Sequence, residues 1–219
     1  MICYFAQPNR FHPFLVKELE KKYNITPAFY HITLNGKHLA FHLDKHLIEE
    51  VTIDKIYKLK NSEFITGVLH PKFNKILSPK FSFTIISNPV NRVYQLFYIF
   101  KFLETTYKKE GIIQKIFNSD NLTIELFVDR VLDNNYYRGI IEEHIFLLPD
   151  AIFDLNFVGI AEESELTGKF LSRKLKIDLK NFNFIERIEN TLYRIKEIEK
   201  SLQPEIDKYN VLRSKLKNS

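Results

Sequence analysis

Short apolar segments, each followed by a turn and then by a helix-like segment, recur along this chain of 219 residues. Residues 1–6 are the first, because a Gln-Pro-Asn-Arg turn follows them and residues 14–22 then have amphipathic helical spacing. Residues 81–86 repeat the pattern, since a Ser-Asn-Pro turn closes them and residues 90–107 predict a long aromatic helix. This alternation predicts an α/β fold with a mostly parallel sheet and helices on both faces.

The remaining elements are predicted from the same periodicities. Alternating segments on either side of Asn35-Gly36 predict a hairpin, because a type I′ turn needs positive φ at both central residues. Further strands are predicted at 63–68 and 155–160, and further helices at 44–59, 121–131, 136–147 and 164–175.

The C-terminal region is strongly helical in its spacing. Apolar residues recur from residue 185 to residue 202 and predict a helix with Ile188, Leu192 and Ile195 on its buried face. Pro204 then begins a second helix, because proline is best tolerated in a first turn. We therefore predict an α/β domain over residues 1–183 and a C-terminal helical extension over residues 184–219, packed on the domain or extending from it.

The positive net charge of the chain favours anionic partners but does not distinguish among them. The formal net charge is +5 and the isoelectric point is near 9.0, which favours anionic partners. Nucleic acid, acidic glycans and phosphorylated cofactors would all benefit from this charge. The chain carries no recognised nucleic-acid-binding motif, so nucleic acid is not the expected partner.

Cysteine and histidine usage points away from disulfides and metals. Cys3 is the single cysteine, so no intrachain disulfide or cysteine-based metal cage is possible, and a reducing compartment is expected. No segment has the length of a membrane span or the form of a signal peptide, so we expect a cytoplasmic protein. Five of the seven histidines fit alternate faces of a hairpin better than a ligand set, so no metal is expected. They are His12, His31, His38, His42 and His46.

One motif carries a resemblance to a known family. Residues 83–98 read Phe-Thr-Ile-Ile-Ser-Asn-Pro-Val-Asn-Arg-Val-Tyr-Gln-Leu-Phe-Tyr, and a strand ending near Gly67 precedes them. This stretch resembles the carbohydrate sulfotransferases that use 3′-phosphoadenylyl sulfate (PAPS), in which a strand runs into Arg-Asp-Pro-x-x-Arg-x-x-Ser and an aromatic helix. Pro89, Arg92, Phe97 and Tyr98 match in register. Residues 157–162, Phe-Val-Gly-Ile-Ala-Glu, are similar to the family's late Phe-Val-Gly-x-x-Glu segment.

The resemblance implies a P-loop NTPase-like architecture in which a first loop binds the 5′-phosphosulfate. That loop aligns with the residues after Ala6, where Pro8 is kept and the family's Lys and Gly-Gly are replaced. The implied contacts at this end are Pro8, Asn9, Arg10 and His12. In another register the first loop would be residues 31–37, which recovers a leading His and a Gly.

The resemblance also implies a second site for the 3′-phosphate, formed by Ser87, Arg92 and Gln95. Ser87 stands where the family has Arg and cannot supply a guanidinium, while Gln95 stands where it has Ser. Val68 occupies the place of the family's catalytic-base His, so the resemblance makes His70 the candidate general base.

Each candidate also has a structural interpretation. Arg92 could be a surface residue at a helix start, Arg10 and His12 could belong to a solvated loop, and His70 could simply be exposed. The aromatic run of the predicted helix could stack a base or sugar, but aromatic residues at helical spacing usually pack in the core. This run comprises Tyr94, Phe97, Tyr98, Phe100 and Phe102.

The function implied by the resemblance is transfer of a sulfuryl group from PAPS to a hydroxyl of a glycan or other small acceptor. The loss of the Lys, the Gly-Gly and the Arg leaves a second hypothesis open, in which the fold has lost cofactor binding and acts as an interaction module. A different nucleotide-dependent transferase, such as a glycosyltransferase, is a further alternative. The sequence specifies neither the acceptor nor the oligomeric state.

Overall fold

The computed structural model describes residues 1–6, 13–28, 30–31, 49–50, 52–69, 71–95, 97, 122–133, 150–179 and 193–218. The chain divides into two compact units. The sheet unit contains residues 1–86, 148–185 and 212–219, and the helical unit contains residues 87–147 and 186–211. The boundary predicted between residues 183 and 184 lies outside the described residues.

Strands and helices alternate along the described chain. The strands are β1 (Ile2–Ala6), β2 (Ile25–Pro27), β3 (Tyr30–His31), β4 (Glu49–Glu50), β5 (Phe64–Val68), β6 (Phe81–Ile86) and β7 (Phe157–Ile160). The helices are α1 (Pro13–Glu20), α2 (Ile53–Leu59), α3 (Asn74–Leu77), α4 (residues 89–95), α5 (Ile124–Asp133), α6 (Ser164–Leu175), α7 (Ile195–Ser201) and α8 (Gln203–Lys217). Short 3₁₀ helices lie at Pro71–Phe73, Asp150–Asp154 and Ala161–Glu163. Among the described helices, none has the length and apolarity that crossing a membrane requires.

Five parallel strands form the main sheet, in the order β2-β5-β1-β6-β7. The central strand β1 pairs with β5 and β6, so the three strands predicted to share a sheet do so, with their carboxyl ends on the same side. All six residues of β6 are buried, and continuous apolar runs of this kind are typical of parallel strands covered on both faces. The predicted α/β class with a parallel sheet is confirmed.

One face of the sheet carries an aromatic core. Tyr4 and Phe83 stack with ring centroids 4.8 Å apart, and Phe64 meets Phe83 edge-on at 6.4 Å. Phe170 of α6 stacks on Phe157 of β7 at 3.9 Å, so α6 packs against this face. Stacked and edge-on pairs of this kind stabilise a core beyond the burial of their area.

The region before β5 contains a strand where a helix was predicted. The predicted helix over residues 44–59 is wrong at its start, because Glu49–Glu50 is a strand that pairs in parallel with β3. The helix begins at Ile53, where the Oγ1 of Thr52 accepts a hydrogen bond from the Lys55 amide at 3.3 Å and caps it. The predicted hairpin at Asn35-Gly36 lies outside the described residues.

The C-terminal helix prediction is wrong at residues 193–194. Arg194 has a left-handed φ of 51°, and α7 begins only at Ile195, which is half-buried, while Ile198 and Leu202 are buried. Ile188 and Leu192 lie outside the described residues. The second helix is confirmed, since α8 carries Pro204 in its first turn.

Other boundaries differ in smaller ways. The helix predicted over 121–131 is observed as Ile124–Asp133, and the helix over 164–175 has the predicted bounds. The strand predicted over 155–160 begins at Phe157, because a 3₁₀ helix occupies the segment just before it. Residues 136–147, and most of 90–107 beyond α4, lie outside the described residues.

The buried thiol of β1 gives a first testable prediction. Cys3 is 1% exposed, and burial raises its pKa to about 12. The folded chain should therefore resist thiol reagents at pH 8 and react only when unfolded. Because the unfolded thiol ionises at lower pH than the folded one, stability should also fall as the pH rises from about 9 toward 12. Rapid labelling of native protein by a thiol-reactive dye would contradict this.

Candidate functional site

The strand order of the sheet unit contains a topological switch point between β1 and β6. The segment after β1 leads to β2 at one end of the sheet, whereas β7 lies beyond β6 at the other end. β1 and β6 are neighbours, and the chain leaves them in opposite directions: from β1 toward β2, and from β6 toward β7. Open α/β sheets bind ligands outside the carboxyl ends of the strands at such a switch point. The expected crevice therefore lies where β1 ends at Ala6 and β6 ends at Ile86.

The first loop lies almost wholly outside the described residues. The segment that follows β1 begins at residue 7, and the next described residue is Pro13. The candidates for the 5′ end and for the general base all lie outside the described residues: Pro8, Asn9, Arg10, His12 and His70. In the alternative register of the first loop, only His31 belongs to the described chain, and its side chain does not.

The turn between β6 and α4 is well defined by its own residues. Asn88 Oδ1 accepts a hydrogen bond from the Val90 amide at 2.9 Å, and the Asn88 carbonyl accepts one from the Arg92 amide at 3.0 Å. Asparagine at this position satisfies an amide that the helix leaves without a partner. Pro89, the first helical residue, needs no amide partner. Ser-Asn-Pro thus begins α4 immediately after the strand.

The three candidates for the 3′ site are all buried. Ser87 is 4% exposed, Arg92 is 2% exposed and Gln95 is 3% exposed. Arg92 Nη1 lies 3.5 Å from Gln95 Oε1, as expected for residues three apart on one helix face. The alternative interpretation of Arg92 as a surface residue is wrong. A buried guanidinium carries a large desolvation penalty, so its environment has to compensate the charge.

The Ser87 hydroxyl is a second feature of this turn. Its Oγ is buried and has no hydrogen-bond partner within the part of the chain that the structure describes. A buried hydroxyl left without a partner costs about 1 to 3 kcal/mol. An oxygen of a bound ligand or a water molecule would remove this penalty.

Two aromatic residues, Tyr94 of α4 and the nearby Phe97, belong to the core. Tyr94 is 1% exposed and Phe97 is 6% exposed, and the Phe97 ring lies 6.0 Å from that of Phe127 in α5. The Tyr94 hydroxyl donates to the Tyr193 carbonyl at 2.7 Å. Burial, and then the negative charge of Glu199, raise the pKa of Tyr94 to about 12. The core interpretation holds for these two rings, while Tyr98, Phe100 and Phe102 lie outside the described residues.

An ionic cluster that sequence reasoning missed surrounds Arg194. Its Nη1 lies 2.6 Å from Asp129 Oδ1 and 3.1 Å from Asp133 Oδ2. Its Nε donates to Glu197 Oε2 at 2.8 Å. These carboxylates raise the pKa of Arg194 above its usual range, Glu197 contributing most. The spacing of Asp129 and Asp133, one helical turn apart on α5, was the available sequence signal.

The described residues contain no group of three or more His, Cys, Asp or Glu side chains that could hold a metal ion.

No protein-family model matches the chain, and neither a curated protein nor a solved structure matches it.

Proposed function

We propose that this chain is a PAPS-dependent sulfotransferase with a P-loop NTPase-like architecture, and that it transfers a sulfuryl group to a hydroxyl of a glycan or other small acceptor. The observation that carries the proposal is the burial of all three motif side chains after β6: Ser87, Arg92 and Gln95. They follow a strand that borders the switch point of a parallel sheet. The resemblance assigns those three positions to the cofactor.

The 3′-phosphate of PAPS is the proposed ligand of these side chains. A guanidinium matches phosphate in charge and geometry, and hydrogen bonds to charged groups are stronger than neutral ones. The Ser87 Oγ, which has no hydrogen-bond partner among the described residues, is a donor of the kind that a phosphate oxygen accepts. Because Ser87 replaces a family arginine, the site has one guanidinium fewer, and we expect weaker binding than two would give.

The proposed chemistry is direct transfer without a covalent enzyme intermediate. PAPS supplies the sulfuryl group and leaves as 3′,5′-ADP. His70 takes the proton of the acceptor hydroxyl, whose oxygen bonds to sulfur as the bond from sulfur to the phosphate oxygen breaks. Arg10 and His12 stabilise the charge on the leaving phosphate. These three assignments rest on the sequence alone.

Transfer of labelled sulfur tests the proposal. The chain is incubated with PAPS carrying radioactive sulfur and with a panel of oligosaccharides and small hydroxyl compounds. We expect labelled acceptor and 3′,5′-ADP to form in equal amounts, and His70→Ala to slow transfer by about a hundred-fold, as for loss of a general base. A chain that binds 3′,5′-ADP but moves no label to any acceptor would contradict the transferase assignment.

A second candidate function is an interaction module that has lost its cofactor. The contact between Arg92 and Gln95 favours it, because a guanidinium held by its own helix could be structural. The replaced Lys and Gly-Gly of the first loop point the same way. Binding of 3′,5′-ADP distinguishes the two functions, because the sulfotransferase binds it and the module does not.

A further inference from the structure

We propose that Tyr94 and Arg194 form a latch that positions α4 for its ligand. The latch consists of the hydrogen bond from the Tyr94 hydroxyl to the Tyr193 carbonyl and of the ion pairs of Arg194 with Asp129, Asp133 and Glu197. All of these residues belong to the helical unit. The role of the latch in ligand binding rests on the proposed function, because α4 carries two of the proposed cofactor contacts, Arg92 and Gln95.

The Tyr94 half of the latch acts on the site through α4. Tyr94 lies between Arg92 and Gln95 in the sequence of this helix, and its ring is 1% exposed. Its hydroxyl reaches a carbonyl 99 residues away at 2.7 Å. Losing that bond would leave a partly buried carbonyl without this donor, which is costly. The position of α4 is thereby tied to residue 193.

The Arg194 half of the latch fixes the residue that directly follows Tyr193. Its left-handed φ of 51° costs an L-residue about 1 to 2 kcal/mol, so the surroundings must hold it there. Asp129 and Asp133 hold it from α5, and Glu197 holds it from the first turn of α7. Residues 193 and 194 therefore join α4, α5 and the start of α7.

This arrangement predicts coupling between the site helix and α7. Tyr94 and Arg194 have no assigned contact with the cofactor, so they are positioning residues. Opening of the latch lowers the fraction of chains whose α4 is correctly placed, and apparent affinity falls with that fraction. By reciprocity, a ligand that favours the placed α4 also favours the ordered start of α7.

Amide hydrogen exchange of Tyr94→Phe tests the latch without a ligand. We expect exchange in residues 89–95 and 195–201 to become about five- to ten-fold faster, since one partly buried hydrogen bond is lost. The matched control is Tyr23→Phe, which removes a hydroxyl bonded to the Leu175 carbonyl at 2.8 Å in the sheet unit. In Tyr23→Phe, amide exchange in residues 89–95 and 195–201 should remain at the wild-type rate. Equal exchange rates of α4 and α7 in Tyr94→Phe and Tyr23→Phe would overturn the latch.

A charge variant provides the second comparison. Arg194→Gln removes the ion cluster and should accelerate exchange in the same two helices. Arg213→Gln is its control, because Arg213 Nε donates to Glu163 Oε1 at 2.7 Å in the sheet unit. Acceleration by the control alone, or by neither variant, would remove Arg194 from the latch.

The ligand arm separates the latch from the proposed function. In the wild-type chain, 3′,5′-ADP should slow exchange in both α4 and α7, and in Tyr94→Phe it should slow α4 only. Protection confined to α4 in the wild-type chain would overturn the coupling. No protection anywhere would contradict the proposed function, while the comparison without ligand would still decide whether the latch exists.

Discussion

Gly67→Ala should leave little folded protein. Gly67 is the second-last residue of β5 and has a φ of +153°, a backbone conformation that residues with L side chains rarely adopt. An added Cβ would lie 2.0 Å from the Ala28 carbonyl oxygen and 2.5 Å from its carbon. Ala28 cannot move away, because it is 1% exposed and its amide donates to the Thr66 carbonyl at 2.9 Å.

The combined strain and overlap should cost more than about 4 kcal/mol, against a total stability of about 5 to 15 kcal/mol for a typical domain. Urea unfolding of the soluble fraction measures it, and Gly168→Ala in α6 is the comparison. There the added Cβ would lie 2.9 Å from the Leu179 carbonyl oxygen, so the backbone has to shift there as well, but by much less than beside Gly67. Equal unfolding midpoints for the two variants would show that the Ala28 segment yields.

Arg92→Ala should weaken binding of 3′,5′-ADP by about ten-fold or more. A hydrogen bond to a charged group is worth about 1.5 to 3 kcal/mol, and each 1.4 kcal/mol is about ten-fold in affinity. Arg92→Lys should not fully restore binding, because an ammonium cannot reproduce the two-pronged contact of a guanidinium. The burial of Arg92 strengthens the expectation, since charge interactions are stronger where water is excluded.

Calorimetric titration of both variants at fixed salt measures this effect. Thermal unfolding of the unliganded variants shows how much of the change reflects folding, because removing a buried side chain also destabilises the unit. Arg213→Ala is the matched control, since Arg213 pairs with Glu163 within the sheet unit. An Arg92→Ala chain that remains folded and binds 3′,5′-ADP as the wild type does would remove Arg92 from the site.

The parallel sheet was predictable because its strands are continuous apolar runs followed by turns. β1, β5 and β6 read this way in the sequence, and burial on both faces is what such runs favour. β2 was not predicted, since it has three residues of which none is fully buried, and short segments carry no readable period. Its place at the sheet edge depends on tertiary contacts.

The C-terminal error has a different physical origin. Helical spacing continues through Arg194, so nothing in the local pattern signals a break there. The left-handed backbone at that residue is stabilised by carboxylates of α5, 61 and 65 residues earlier in the chain. Long-range ion pairs of this kind override local periodicity and cannot be inferred from it.

The candidate site was predictable in position but not in environment. The sequence placed Ser87, Arg92 and Gln95 around the start of a helix, which is where they lie. It did not distinguish a buried guanidinium from an exposed one, because burial depends on segments remote in sequence. The tie between Tyr94 and residue 193 was likewise beyond the sequence pattern.

Thermal unfolding with 3′,5′-ADP is the most direct test of cofactor binding. A ligand at about a hundred times its Kd stabilises a native protein by about 2.7 kcal/mol. For a chain of this size that stabilisation raises Tm by about 5 to 10 °C. We expect a saturable increase of this magnitude with 3′,5′-ADP and a smaller one with 5′-AMP, which lacks the 3′-phosphate. An unchanged Tm at millimolar 3′,5′-ADP would contradict the sulfotransferase account and favour the interaction module.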